Sequence, residues 1–247
     1  MITVFTSCWN QGKYLPQAIE SVLNQTWKNF QYLIFDDGST DNTWEVIQKY
    51  AKRDKRIVPI RIPKTSNVGV VINMSIQKTI ERFWVWCPAD DVLLPGCLTI
   101  KHRCSELVNH EAIFYSHWQH IDEKSEVIKE HRVEAIAPHE FSKIIWERCP
   151  IGFTGIWIPM YIFDKVGFFP EHLPCSEDYY WMVKATIHGV SFCCAPEVLY
   201  QKRLHTNRTT HRSQAFIQKK VKQIREELRN YAEGIGRVVG QSPRDKQ

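Results

Sequence analysis

The chain opens on Ile2-Thr3-Val4-Phe5-Thr6-Ser7, a β-branched and aromatic run that predicts a buried first strand. From Lys13 the period lengthens. Tyr14, Leu15, Ala18, Ile19, Val22 and Leu23 share one face of a helix ending near Asn24. Gln31 to Phe35 is a second apolar run, stopped by Asp36-Asp37-Gly38-Ser39. Asn42, with Glu45 three residues on, predicts a capping box for a helix that buries Trp44, Ile47 and Ala51. Arg56 to Ile62 reads as a third strand, Pro63 to Asn67 as a loop and Val70 to Ile80 as a helix. Trp84-Val85-Trp86-Cys87 is a fourth strand that ends abruptly in Pro88-Ala89-Asp90-Asp91. Strands alternating with helices in this way predict a parallel sheet covered on both faces, a Rossmann-like half of about 90 residues.

The second half alternates less regularly. A helix is expected near Pro95 to Leu107 and a strand at Ala112 to Ile121, followed by a polar loop or hairpin from Asp122 to Glu134. Phe141 to Trp146 reads as a short helix and Phe153 to Ile158 as a strand. A Gly- and Pro-containing loop from Gly167 to Cys175 leads into a helix that opens at Ser176-Glu177-Asp178 and runs to about His188. Glu197 to Leu204 is the last expected strand, with a polar, cationic stretch to Ser213. Ile217, Val221, Ile224, Leu228 and Tyr231 form one stripe on a terminal helix, expected to pack back onto the domain. The fold class that follows is α/β: a mostly parallel sheet with helices on both faces, an acceptor-side α+β region and a C-terminal helix. Residues 1–240 read as one domain, with 1–100, 101–213 and 214–240 as its parts and 241–247 as a disordered tail.

Composition narrows the class. Hydrophobic residues at 43% and charged residues at 24% are ordinary for a soluble globular chain. A net charge of +5, spread along the sequence, gives no nucleic-acid stripe, so no nucleic-acid partner is expected. The 8 Cys, none in a Cys-x-x-Cys pair, read as reduced core thiols in a cytoplasmic setting. No apolar run approaches the ~18 residues of a membrane span, and the first residues lack the charged region of a secretion signal. The expected association with a membrane is peripheral at most.

Chemistry is concentrated at strand ends. Asp90 and Asp91 follow a buried run, and carboxylates are hard ligands for Mg²⁺ or Mn²⁺, whose sites combine one or two carboxylates with substrate phosphates. Alone, such a pair is an ordinary solvated turn. At Asp36-Asp37-Gly38-Ser39-Thr40-Asp41 a second strand ends in acid and a Gly-Ser turn, where a carboxylate can accept from a nucleobase or ribose. Alone, this too is a simple turn before a capped helix. His117 and His120, three apart on an expected strand, point to opposite faces and make a poor metal pair.

The combination resembles the family 2 glycosyltransferases of the GT-A fold. It begins with Ser7-Cys8-Trp9-Asn10, Tyr14-Leu15 and Ala18 to Thr26, and continues through Phe35 to Asp41. It resumes at Asn67-Val68-Gly69, Ala89-Asp90-Asp91, Val166-Gly167-Phe168-Phe169 and Glu177 to Trp181, covering roughly residues 2–205. The resemblance implies an inverting enzyme that moves a sugar from a nucleoside-diphosphate sugar, UDP-linked by default, to a saccharide or lipid-linked glycan. Ser7, Trp9, Asp37, Asn67 and Asp90 match the donor-binding set. Asp90, Asp91 and His205 are the metal candidates, with Mn²⁺ or Mg²⁺ as cofactor. Asp178 matches the catalytic base, and Glu177 the neighbour that positions it or the acceptor. Arg203 or Arg208 is a candidate for pairing with phosphate. Family usage implies a bacterial enzyme of polysaccharide biosynthesis at the inner face of the membrane.

This chain departs from the pattern in two places. Pro88 stands where an Asp-x-Asp motif would have its first Asp, and Glu81-Arg82-Phe83 replaces a small Gly before the metal-site strand. Two rival readings stand beside the transferase. A haloacid-dehalogenase-like phosphatase needs two Asp with one residue between them, whereas Asp36 and Asp37 are adjacent. A nucleotide-sugar-binding protein without turnover is favoured by Pro88 alone.

Overall fold

The computed structural model describes residues 1–133, 135–173, 175–205 and 214–237. The stretch containing Arg208 and the tail 241–247 lie outside the described residues, as does the Ile217 side chain. The elements are β1 (Ile2–Cys8), α1 (Leu15–Leu23), β2 (Phe30–Asp37), α2 (Thr43–Ala51), β3 (Ile57–Ile62), α3 (Val68–Lys78), β4 (Phe83–Trp86) and β5 (Val92–Leu93). They continue with α4 (Cys97–Glu106), β6 (Ala112–Ile121), β7 (Val127–His131), α5 (Pro138–Glu147), β8 (Trp157–Pro159), α6 (Tyr161–Val166), α7 (Glu177–Ile187), β9 (Ser191–Arg203) and α8 (Gln214–Gly234).

One sheet runs in the order β3-β2-β1-β4-β8-β6-β9-β5, with β7 paired off this path to the C-terminal part of β6. The first four strands are parallel, so their C-terminal ends emerge on one edge. Alternation along them fills two cores. Phe5, Leu33 and Trp84 face α3, α6 and α7, while Val4, Ile34 and Val85 face α1 and α4. Of the terminal stripe, Ile224 and Leu228 are fully buried and Val221 and Tyr231 pack partly buried against the core, joined by Ala232.

The strands of the second half differ from the sequence reading for identifiable reasons. β9 begins at Ser191 rather than Glu197, because Pro196, which breaks the apolar pattern, is absorbed in an irregularity: Ala195 pairs with Ser116, and the next partner, Val198, with His117. The polar stretch after Ile121 is a hairpin whose second strand, β7, is exposed along nearly its whole length and so carries no alternation. β5 and α6, of 2 and 6 residues, are too short to register as periods. The capping box at Asn42 does not form. Asn42 makes no side-chain cap, and Asp41 Oδ1 instead accepts from Thr43 N at 3.0 Å.

Candidate active site

Four segments meet at the C-terminal edge of the parallel strands. Pro88, which has no N–H, follows Cys87, the last residue bonded to β1 (Cys87 N to Phe5 O, 2.8 Å), and so ends the β4 ladder there. Next to it, Asn10 takes a left-handed conformation (φ 52°) and stitches the β1 end to the β2 end. Its Oδ1 accepts from Thr40 N at 2.9 Å, and its N–H donates to Ser39 Oγ at 2.9 Å. Asp36 is buried as a brace, accepting from Ser39 N at 2.9 Å. Asp37 accepts from Thr65 N and from the Lys64 ammonium, both at 2.7 Å. The same ammonium lies 4.2 Å from the ring centre of Trp9, which is 51% exposed. Lys64 thus links Trp9 and Asp37 at the end of β2, and Ser7 pairs with Phe35 two residues before Asp37.

Asn67 plays a bracing role. It caps α3 by accepting from Gly69 N at 2.9 Å and donates to Glu171 O. A Cβ on Gly69 would meet Pro170 O at 2.8 Å, so glycine is what lets the loop after α6 approach. Asn73 fastens the same loop, exchanging bonds with Phe169 N at 2.9 Å and Phe169 O at 3.0 Å. The Asn67-Val68-Gly69 and Val166–Phe169 motifs are therefore two sides of one contact.

The paired aspartates separate in role. Asp90 Oδ2 lies 3.0 Å from His205 Nε2, and both retain slight exposure. Asp91 is fully buried, with Oδ2 accepting from Thr154 Oγ1 at 2.6 Å and Oδ1 from Arg203 N at 3.0 Å. Arg203, a phosphate-pairing candidate by sequence, is buried instead. Its guanidinium donates to Asp90 O at 3.1 Å, Asp122 O at 2.8 Å, Ser125 Oγ at 3.0 Å and Gln17 Oε1, so all three nitrogens are engaged within the protein. It ties the β6–β7 hairpin to α1 and to the β4 end. Tyr14 packs against both Arg203 and His205.

Asp178 sits in the first turn of α7, after Ser176, which is held at φ 64°. Left-handed backbone at a non-glycine residue is strain that surrounding structure must hold. Asp178 Oδ1 accepts from Tyr179 N at 2.7 Å. Partial burial desolvates the carboxyl and raises its pKa above the usual aspartate value, opposed by the Tyr179 N–H and by the Lys202 charge. The side chain still keeps partial exposure. A carboxylate raised above its ordinary value is a stronger proton acceptor once ionised. Glu177 is buried beside it. α7 is held from behind: Tyr179 OH donates to Ile145 O at 2.8 Å, Tyr180 OH donates to Glu227 at 3.0 Å, and Arg225 donates to Tyr179 OH at 3.1 Å.

Residues 3–167 match the family described as Glycosyl transferase family 2. The chain belongs to glycosyl transferase family 2. It is 26% identical over 226 residues to an uncharacterized glycosyltransferase of Rickettsia prowazekii, covering 85% of this chain and 66% of that protein. Among solved structures it superposes on Staphylococcus aureus TarS in complex with UDP-GlcNAc, with a TM-score of 0.70 and 18% identity over 86% of this chain and 61% of TarS. A mannosyltransferase of Pyrobaculum calidifontis in complex with GDP-Man and Mn²⁺ gives 0.63 and 13%, over 83% of this chain and 57% of that one. These structures share the α/β fold expected from the sequence, and this chain spans about three fifths of each.

In this family 2 chain, several residues that hold the site carried no sequence signal. Thr154 and Gln17 act through partners 63 and 186 residues away. Lys101 is fully buried and donates to Gly155 O at 2.6 Å, which fixes the loop that presents Thr154. A cavity of about 700 Å³ lined by Arg82, His110, Tyr161 and Cys193 lies at the opposite end of the sheet and shares no residue with this cluster.

Proposed function

We propose that this chain is an inverting glycosyltransferase that moves a sugar from a nucleoside-diphosphate donor, by default UDP-linked, to a hydroxyl of a saccharide or lipid-linked glycan. The observation that carries the reading is that β9 links the two parts: Arg203 bonds Asp90 O and Asp91 at the β4 end, and the adjacent Lys202 carries its charge to the Asp178 carboxyl at the start of α7. Trp9 offers an exposed aromatic face for a nucleobase, with Ser7 and Asp37 beside it for base or ribose contacts. Asn67 supports that corner through the loop it braces. The acceptor oxygen attacks the anomeric carbon while the bond to the diphosphate breaks. The hydroxyl proton passes to Asp178, and the nucleoside diphosphate leaves with the electron pair. Glu177 supports the orientation of Asp178.

The donor set fits a divalent cation. Neighbouring ligands of one six-coordinate ion at about 2.1 Å are about 3.0 Å apart, the separation between Asp90 Oδ2 and His205 Nε2. Among the described residues no group of three His, Cys, Asp or Glu gathers to hold a metal alone, which suits an ion that takes its remaining ligands from diphosphate and water. Bound Mn²⁺ or Mg²⁺ would stabilise the charge that grows on the leaving diphosphate. Asp91, also a metal candidate by sequence, has both oxygens hydrogen-bonded within the protein, which supports a structural role.

No helix among the described residues is long and apolar enough to cross a membrane. A place in the cytoplasm, with peripheral contact to the inner membrane surface during polysaccharide biosynthesis, belongs to the proposal. The second reading, a nucleotide-sugar-binding protein without turnover, draws on Pro88 and on the engaged Asp91. Transfer from UDP- and GDP-sugars by the wild type and by Asp178→Asn separates the two. The enzyme reading expects transfer that falls by roughly 10²–10⁴-fold in the variant while nucleotide still binds; nucleotide binding with no transfer by the wild type overturns it.

A further inference from the structure

Strand register builds a basic row across β7, β6 and β9. On β6, His120 is paired with Lys129 of β7 on one side and with Lys202 of β9 on the other, so the three side chains share one face. One row back, Trp118 is paired with His131 and Tyr200. Side-chain contacts confirm the facing. His131 Nε2 lies 3.0 Å from His120 Nδ1, and Trp118 stacks on His131 at 4.9 Å and on Tyr200 at 6.0 Å. The opposite face carries Gln119, bonded to Gln201 at 3.0 Å and to Glu130 at 3.2 Å. Glu130, the nearest acid on β7, is thereby drawn away from the row and is also paired with Arg132. Among the described residues, no carboxylate forms an ion pair with Lys129 or Lys202.

The row borders the proposed catalytic centre. The Lys202 charge reaches the carboxyl of Asp178, the thiol of Cys149 and the ring of His131. The loop 149–153 crosses the same face, so close at Gly152 that a Cβ there would collide with Tyr200 OH. Two lysines and two imidazoles on a half-exposed sheet surface, backed by an aromatic row, make a site for a compact anion. Charge-assisted bonds from the two ammonium groups are about twice as strong as neutral ones, and the imidazoles add neutral donors.

We propose that Lys129, His120, His131 and Lys202 form an acceptor subsite for an anionic group, a phosphate or carboxylate on the glycan, which holds the acceptor so that its hydroxyl meets Asp178. This rests on the transferase reading and names its acceptor class: acidic rather than neutral.

The test follows the histidine ring signals of the full chain by NMR during titration with glycerol 3-phosphate, glucuronate and, as neutral controls, glycerol and glucose. The wild type is compared with the double variant Lys129→Gln/Lys202→Gln. The expected result is saturable shifts of the His120 and His131 signals with the phosphate or the carboxylate, the stronger arm naming the group. The neutral controls cause none, and apparent affinity falls by about tenfold or more in the double variant, the equivalent of one lost charge-assisted bond. Absence of shifts, or equal affinity in the double variant, overturns the subsite. Binding to phosphatidylglycerol vesicles that the double variant loses, with no response to either small anion, also overturns it and assigns the row to a membrane surface. UDP binding with Mn²⁺ is measured on the same samples. If UDP and GDP both fail to bind while the row still takes anions, the transferase reading fails and the anion site stands.

Discussion

Asp91 gives the sharpest separation of structure from chemistry at the β4 end. The substitution is Asp91→Ala, set beside Asp90→Ala. As a carboxylate, Asp91 accepts at 2.6 Å from Thr154 and at 3.0 Å from Arg203 N with no exposure to water. A hydrogen bond to a charged group contributes about 1.5–3 kcal/mol, and an abandoned buried donor carries its own desolvation penalty. Losing both bonds therefore costs roughly 3–5 kcal/mol. For a domain of this size, each kcal/mol moves the melting temperature by about 2–4 °C, so Asp91→Ala is expected to melt roughly 6–20 °C lower. Asp90 meets His205 near the surface, and Asp90→Ala is expected to move the melting point by no more than a few degrees while abolishing Mn²⁺ binding. The assay is calorimetric melting in chelator, followed by Mn²⁺ titration of each folded variant. An Asp91→Ala protein that melts like the wild type and no longer binds Mn²⁺ would refute the structural assignment and return Asp91 to the metal.

Two further predictions concern protons. Burial raises the Asp178 pKa, and a general base works only when deprotonated, so kcat/KM should rise with pH through a limb above the ordinary aspartate range. Lys202 opposes the shift, so Lys202→Met should move that limb to higher pH; a limb at the ordinary aspartate value in both proteins contradicts the assignment. Burial also holds the Lys101 ammonium below the ordinary lysine value of 10.5. The unfolded chain then binds this proton more tightly, so below the ordinary lysine range Lys101 adds a component of stability that grows as pH rises. Denaturant midpoints at about pH 8 and pH 10 should show a more positive slope in the wild type than in Lys101→Met, and equal slopes would mean that Lys101 is not buried in solution.

Residues 2–87 were legible because each of their elements spans at least one full period of its pattern. The runs at Ile2, Gln31, Arg56 and Trp84 became β1 to β4, and parallel order followed from the intervening helices. The acidic strand ends were visible for the same reason: Asp37 and Asp90 stand where apolar runs stop. What escaped the sequence was held by distant contacts or by very short elements. Nothing in the local pattern says that Arg203 turns inward to Gln17 and Asp122, because that choice is made by the hairpin closing over it. Pro196 disguised half of β9, since a break in period and a bulge look alike in a sequence. The basic row was invisible until β7 and β9 were registered on opposite sides of β6. His120 points away from His117 as expected, and its partners come from the neighbouring strands.

The most direct test of the central claim is calorimetric titration of the wild type and Asp90→Ala with UDP and GDP, each with Mn²⁺ and with chelator. One nucleotide should bind the wild type in the presence of Mn²⁺ and lose most of its affinity in chelator and in the variant. No binding of either nucleotide to the wild type, with or without the metal, would contradict the account.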